Sequence, residues 1–254
     1  MIISSIAENT FRETIRDRVL YSILFFALGM IVLSFVVSRW SIGQEVKILK
    51  DFGLSVMSVF GLLISIFIGI GLVYKEIEKK TIYVIISKPI HRYQFILGKY
   101  FGLILTLFVN IIIMSIFLYF VLYVFEREFD LLLLKGIFMI YFEMVFVLAF
   151  AILFSSFTTP ILSAFLTMFI YIGGHFSADI KLLGPGIENK FFEIFLNILH
   201  YVLPNLEYFN IKTSVVHHLP VSTVSLIFSV LYGFLYISII LLLSVFIFQK
   251  RDLK

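Results

Sequence analysis

Six stretches of this chain are apolar over enough length to cross a lipid bilayer as helices, and that pattern decides what it can fold into. They run from about Val19 to Val37, Phe52 to Tyr74, Tyr100 to Phe125, Leu131 to Phe154, Phe157 to Gly174 and Val221 to Phe248. A helix needs about 20 such residues to cross ~30 Å of hydrocarbon. No water-soluble core of this size hides so much apolar surface, because 61% of the 254 residues are hydrophobic and the mean hydropathy is +1.08. In lipid the backbone must satisfy its own hydrogen bonds, so open strands are excluded. The sequence therefore predicts an all-α polytopic membrane protein with six transmembrane helices. The boundary between the fourth and fifth spans is the least sharply drawn. There Thr158-Thr159-Pro160 disfavours a continuous helix and predicts a tight turn.

Three segments outside the spans carry patterns of their own. Residues 2–18 repeat Ile3, Ala7, Phe11, Ile15 and Val19 at every fourth position, with Glu8, Arg12, Glu13, Arg16 and Asp17 on other faces. That spacing predicts an amphipathic helix in the membrane interface, with an extension of the first span as the alternative. Ser5 with Glu8 and Thr10 with Glu13 both fit a capping box at its start. The first apolar run follows this charged stretch without a small-x-small cleavage pattern, and is read as a retained span. Residues 75–99 are dense in charge and split by Pro89. Residues 175–220 are long and contain Gly184-Pro185-Gly186, then an amphipathic stretch with Phe191, Phe192, Phe195, Leu199 and Val202 on one face.

Orientation follows from the basic residues. With the amino terminus in the cytoplasm, twelve of the 20 Lys and Arg residues fall on the cytoplasmic side, among them Lys75, Lys79, Lys80, Lys88, Arg92 and Lys99. The positive-inside rule thus predicts both termini in the cytoplasm, residues 75–99 on the same side, and residues 175–220 outside.

Several chemistries find no support. With no cysteine, disulfides, thiolate metal sites and a cysteine nucleophile are excluded. The net charge of +4 is not gathered beside aromatics in a soluble segment, so nucleic acid is not an expected partner. Gly98-Lys99 is the nearest approach to a phosphate loop. Tyr93 and Tyr100 stand where that motif requires Gly and Ser or Thr, so ATP hydrolysis must come from another polypeptide. Zinc-protease and nucleophile-elbow signatures are missing from the sequence. His175, His200, His217 and His218 share the external segment, but adjacent His217 and His218 cannot face one site from a regular helix, and packing roles are preferred. Glu143 lies deep in the fourth span, where a carboxylate is costly unless neutral, paired or wet. Two readings stand for it: a lining of a substrate path, and a polar contact between helices.

The most informative run is Lys75-Glu76-Ile77-Glu78-Lys79-Lys80-Thr81-Ile82, then Ser87-Lys88-Pro89-Ile90-His91-Arg92, then Leu97-Gly98-Lys99-Tyr100. Pro89 biases Lys88 away from helical geometry, so the run reads as helix, break, helix, with charges projecting toward a soluble partner. Here the sequence resembles the ABC-2 type transporter permeases, especially those with the type V exporter architecture. The likeness lies in E-x-E-x-x-T-I, S-x-P-I-x-R and L-G-K-Y after the second span. It continues in Phe11-Arg12-Glu13, in Leu203-Pro204-Asn205 with Phe209-Asn210, and in Arg251-Asp252-Leu253.

The resemblance covers essentially the whole chain and implies a single permease domain over residues 1–254, with an elbow helix over 1–18. It implies a coupling helix within 75–99, seated on an ABC ATP-binding subunit through Glu76, Glu78, Lys79, Thr81, Ser87, Pro89 and Arg92. Further implications are two copies of that subunit, a second permease copy or paralogue, and external helices near an outer gate over 175–220. No cofactor is expected in this chain, and ATP and magnesium belong on the partner ATPase. The implied function is export across the cytoplasmic membrane. A scaffold coupling an ATPase to an external partner is the alternative, and a secondary transporter has less support because broken helices and repeats are not visible. The topology is checked by fusion after Lys254: a reporter active in the cytoplasm should give signal there, and signal only from one active outside would overturn the orientation.

Overall fold

The computed structural model describes residues 2–40, 43–78, 91–126, 130–183 and 190–250. Among these the chain forms α1 (Ile2–Thr14), α2 (Arg18–Ser38), α3 (Glu45–Glu78), α4 (Arg92–Glu126), α5 (Leu131–Ser155), α6 (Pro160–Leu183) and α7 (Lys190–Val202). A 3-10 turn (Leu206–Phe209), α8 (Lys212–Val216) and α9 (Thr223–Lys250) follow. Six helices, α2 to α6 and α9, are long and apolar enough to cross a membrane. Inner and outer below follow the orientation predicted from the basic residues.

α5 is the axis of the bundle. It is apolar on every side, its most apolar stretch is 83% buried, and α3, α4, α6 and α9 all pack against it. α3 comes nearest because it presents glycine. A Cβ on Gly69 would lie 2.7 Å from Ala151 Cβ, and one on Gly61 would meet Met144. α2, α6 and α9 pack on one side only and turn Phe25, Phe165, Phe228 and similar side chains outward, as lipid-facing helices do. The predicted turn between the fourth and fifth spans falls at Ser156–Thr159, with Pro160 as the first residue of α6, where its missing N–H costs nothing.

Three expectations change. The amino-terminal helix ends at Thr14 rather than running to residue 18, because Asp17 takes an extended conformation and its carboxylate accepts from Val19 N–H at 3.0 Å, capping α2. α1 already runs from Ile2, so neither predicted capping box begins it. Its packing face is also rotated from the predicted stripe: Ala7, Thr10 and Thr14 are the buried residues, and they lie against α4. The reason is steric. Gly98 and Gly102 of α4 admit α1 so closely that a Cβ on Gly102 would sit 2.5 Å from the Ala7 carbonyl oxygen, and bulky Phe11 cannot take that place. Gly98 and Gly102, four residues apart on one face of α4, thus serve a contact within the chain.

The third change concerns Gly173-Gly174, expected to end the fifth span. α6 continues to Leu183, and the two glycines instead make room for Leu203 and Leu206 of the segment that folds back over the outer end. This segment, residues 203–216, enters the bundle. Phe209 is 1% exposed and its ring lies 5.7 Å from those of Phe142 and Phe146, in the middle of α5. Residues 203–216 thus form an outer cap on the bundle, while the amphipathic stretch predicted before them forms α7 on α6.

A buried ion pair closes the outer rim. Lys50 Nζ donates to Asp130 Oδ2 at 3.0 Å, Asp130 Oδ1 accepts from Leu132 N–H to cap α5, and Tyr119 O–H donates to the Asp130 carbonyl. Burial pushes the Asp130 carboxyl up. The hydrogen bonds and the charges of Lys50 and His218 outweigh it and hold the group below its ordinary value.

Gly102 and Gly71 make a matched pair of tests. Nothing lies within 4 Å of a Cβ at Gly71. Gly102→Ala should destabilise the purified protein by about 1–3 kcal/mol through overpacking. Gly71→Ala should leave it unchanged or slightly more stable, as read by thermal unfolding in detergent.

Candidate functional site

The predicted coupling residues divide. Glu76 and Glu78 lie in the last turn of α3, and Arg92 is the first residue of α4, while Lys79, Thr81, Ser87 and Pro89 lie outside the described residues. Arg92 does not stand alone at the inner face. Its Nη1 donates to the carbonyls of Phe248 at 2.8 Å and Gln249 at 2.9 Å, and its guanidinium lies 6.0 Å from the centre of the Phe248 ring. The last carbonyls of a helix lack partners within the helix and carry the negative end of its dipole. Arg92 supplies the charge and the donors that the inner end of α9 requires. Phe95, one turn further along α4, stacks on Phe248 at 5.8 Å.

The next turn of α4 binds two more elements. Gly98 receives Ile3 and Ile6 of α1, and Lys99, 2% exposed, directs its ammonium toward Glu13 Oε2 at 3.9 Å and over the Phe95 ring. Tyr100 is buried, and its hydroxyl donates to the Val145 carbonyl of α5 at 3.1 Å. The L-G-K-Y run is therefore a joint. Within nine residues, Arg92 to Tyr100, α4 is tied to the amino-terminal helix, the central helix and the end of the last helix. No local pattern announces the Arg92 contact, since its partners lie 156 and 157 residues away and are backbone atoms.

A second polar arrangement runs outward from the middle of the bundle. Glu143 is 0% exposed halfway along α5, and its Oε1 lies 2.7 Å from His175 Nε2 on α6. His175 Nδ1 lies 3.3 Å from Glu207 Oε2 in the outer cap. Asn210 Nδ2 donates to Glu207 Oε1, and the Asn205 side chain accepts from Glu207 N–H, so the cap positions its carboxylate. Tyr171 stands edge-on to the imidazole with ring centres 4.8 Å apart. A cavity of about 430 Å³ opens beside this chain, walled by His175, Asp179, Glu207, Asn210 and Lys212.

The structure gives Glu143 a polar contact with a neighbouring helix, through His175. That partner is not legible in the sequence, where the predicted fifth span ends at Gly174 and His175 falls in the external segment. The other histidines go elsewhere: His200 donates to the Ser177 carbonyl at 2.8 Å, and His218 lies 3.9 Å from Asp130.

A family model described as "ABC-2 family transporter protein" matches residues 4–253. No curated protein matches the chain. The joint itself is open to test. Arg92→Met keeps the aliphatic stem and removes both donors, which as charge-assisted bonds stabilise by about 1.5–3 kcal/mol. Hydrogen exchange of the amides in residues 244–250 should quicken roughly tenfold or more, with α3 and α5 unaffected.

Proposed function

The chain belongs to the ABC-2 family of transporter proteins and is a permease subunit of an ABC transporter; from that premise we propose that it exports a substrate, driven by two ATP-binding subunits docked on its inner face. A second copy of the chain or a paralogue completes the membrane part. ATP and magnesium are held by the partner ATPases. The protein then resides in the cytoplasmic membrane with both termini in the cytoplasm, and residues 75–99 receive the ATPases.

The observation that carries this reading is the joint at the inner end of α4. A helix long enough to cross the bilayer moves as a stiff rod, and close-packed interiors transmit displacement rather than absorb it. Force applied to the segment between Glu78 and Arg92 reaches the inner ends of α3 and α4, which flank it. From there Arg92 passes it to the end of α9, Gly98 and Gly102 to α1, and Tyr100 to α5. α5 and α9 both run to the outer cap, where Phe209 packs on Phe142 and Phe146 and the Tyr232 hydroxyl accepts from Asn205 N–H at 2.9 Å. An inner push is thereby converted into strain on the outer closure, which is what an exporter requires.

Charge reversal supplies the test. Glu76→Lys with Glu78→Lys, introduced into a tagged chain, should weaken association with the co-purifying ATP-binding subunit roughly tenfold and lower the ATP turnover of the assembly, because like charges across an interface repel. Unchanged assembly and turnover would remove the coupling role. Assembly without any substrate-stimulated turnover in the unsubstituted complex would favour a scaffold.

A further inference from the structure

The chain of Glu143, His175 and Glu207 joins the central helix to the outer cap through a single imidazole, and we propose that it is a proton-operated latch on that cap. Its role at an exit path rests on the exporter reading above; the latch itself does not.

An imidazole that meets a carboxylate at each nitrogen can donate to both only when both nitrogens carry hydrogen. Here the distances are 2.7 Å to Glu143 and 3.3 Å to Glu207. Glu143 is fully buried and its second oxygen, Oε2, has no hydrogen-bond partner. A buried carboxylate in that state is costly to leave ionised beside a neutral ring. One proton shared between Glu143 and His175 resolves the conflict, whether it rests on the imidazole or on the carboxyl. In either placement Nδ1–H points to Glu207 and the cap is held. Without that proton, two carboxylates face a ring with one hydrogen, and one contact must open. The weaker is the longer one, to Glu207, whose side chain is 47% exposed and can turn to water.

The surroundings fit this use. His175 keeps 19% of its side chain exposed, toward the polar cavity, so protons reach it without crossing the apolar core. Among the described residues, the other titratable groups facing this region are Tyr171 and Asp179 on α6 and Lys212 on α8. Tyr171 presents a ring edge, and Lys212 Nζ donates to Ser58 Oγ of α3, so neither replaces the shared proton. Of the remaining holds on the cap, Leu206 on Gly174 and Phe209 on Phe142 and Phe146 are apolar, while Asn205 N–H on the Tyr232 hydroxyl and Lys212 on Ser58 are hydrogen bonds that do not involve the shared proton. Opening the polar contact therefore loosens the segment carrying Glu207 without unfolding the bundle.

The chain has no cysteine, so one spin label can be placed on the cap without background. Tyr208→Cys, 53% exposed, carries the probe, and Tyr123→Cys, equally exposed on α4, is the control. Line shapes are recorded for the full chain in lipid nanodiscs from about pH 5.5 to about pH 9, a window that spans imidazole titration. The mobile fraction at Tyr208→Cys should rise by about twofold or more across it, while Tyr123→Cys stays constant. His175→Gln should abolish the pH dependence. Should that variant fail to fold, Glu207→Gln, at the exposed end of the chain, should show a raised mobile fraction already at the acid end. Asp179→Asn should keep the transition. A cap label that ignores pH, a transition that survives His175→Gln, or a Glu207→Gln cap as immobile as the parent at the acid end would each overturn the latch. None of these readings involves an ATPase, so failure of the exporter assignment would show separately, in the charge-reversal experiment.

Discussion

Hydrocarbon offers no hydrogen bonds, and most of this architecture is an answer to that constraint. Serine and threonine within the spans turn back on their own helices: Ser34 to the Ile31 carbonyl, Ser65 to Gly61, Thr106 to Gly102, Thr167 to Ser163 and Ser238 to Phe234. Charged groups have no such local solution, because a carboxylate or ammonium cannot be neutralised by one carbonyl of its own helix. They reach across. Lys50 finds Asp130, Arg92 finds the end of α9, Lys99 leans toward Glu13, and Glu143 finds His175. Each costly side chain thereby becomes a tie between elements far apart in the chain.

The ties fall at three levels along the bundle. Arg92 and Lys99 gather the inner end, Glu143 and His175 mark the middle, and Lys50 with Asp130 closes the outer rim. Between them the contacts are apolar and close. Lipid tails are as apolar as leucine, so association of the spans depends on packing rather than on exclusion of water. That explains the placement of glycine, with Gly61 and Gly69 toward α5 and Gly98 and Gly102 toward α1. A structure held this way is stiff along its helices and adjustable at its polar contacts.

Much of the fold was legible before any coordinates. The spans beginning at Val19, Leu131 and Val221 agree with α2, α5 and α9 to within two residues at each end, because apolar length reports burial in lipid directly. Pro160 marked the α5–α6 turn for an equally local reason, its missing N–H. Gly173-Gly174 misled because glycine has two uses with one appearance, ending a helix or admitting a neighbour. Only Leu203 and Leu206, which arrive from 30 residues away or more, distinguish them. Arg92 was legible only as one charge of the run over residues 75–99. That Arg92 turns back to the bundle was not.

The sequence by itself determined the solvent, the number of crossings and the cost of Glu143, because these follow from hydrophobic length and desolvation, both summed along a local window. Tertiary structure alone decided who pairs with whom: Glu143 with His175 and Glu207, Arg92 with the last turn of α9, and the face by which α1 meets α4. Such choices rest on distances of a few ångströms between residues tens to more than a hundred positions apart. Hydrogen bonds and close contacts fall away over about an ångström, so no local pattern can record them.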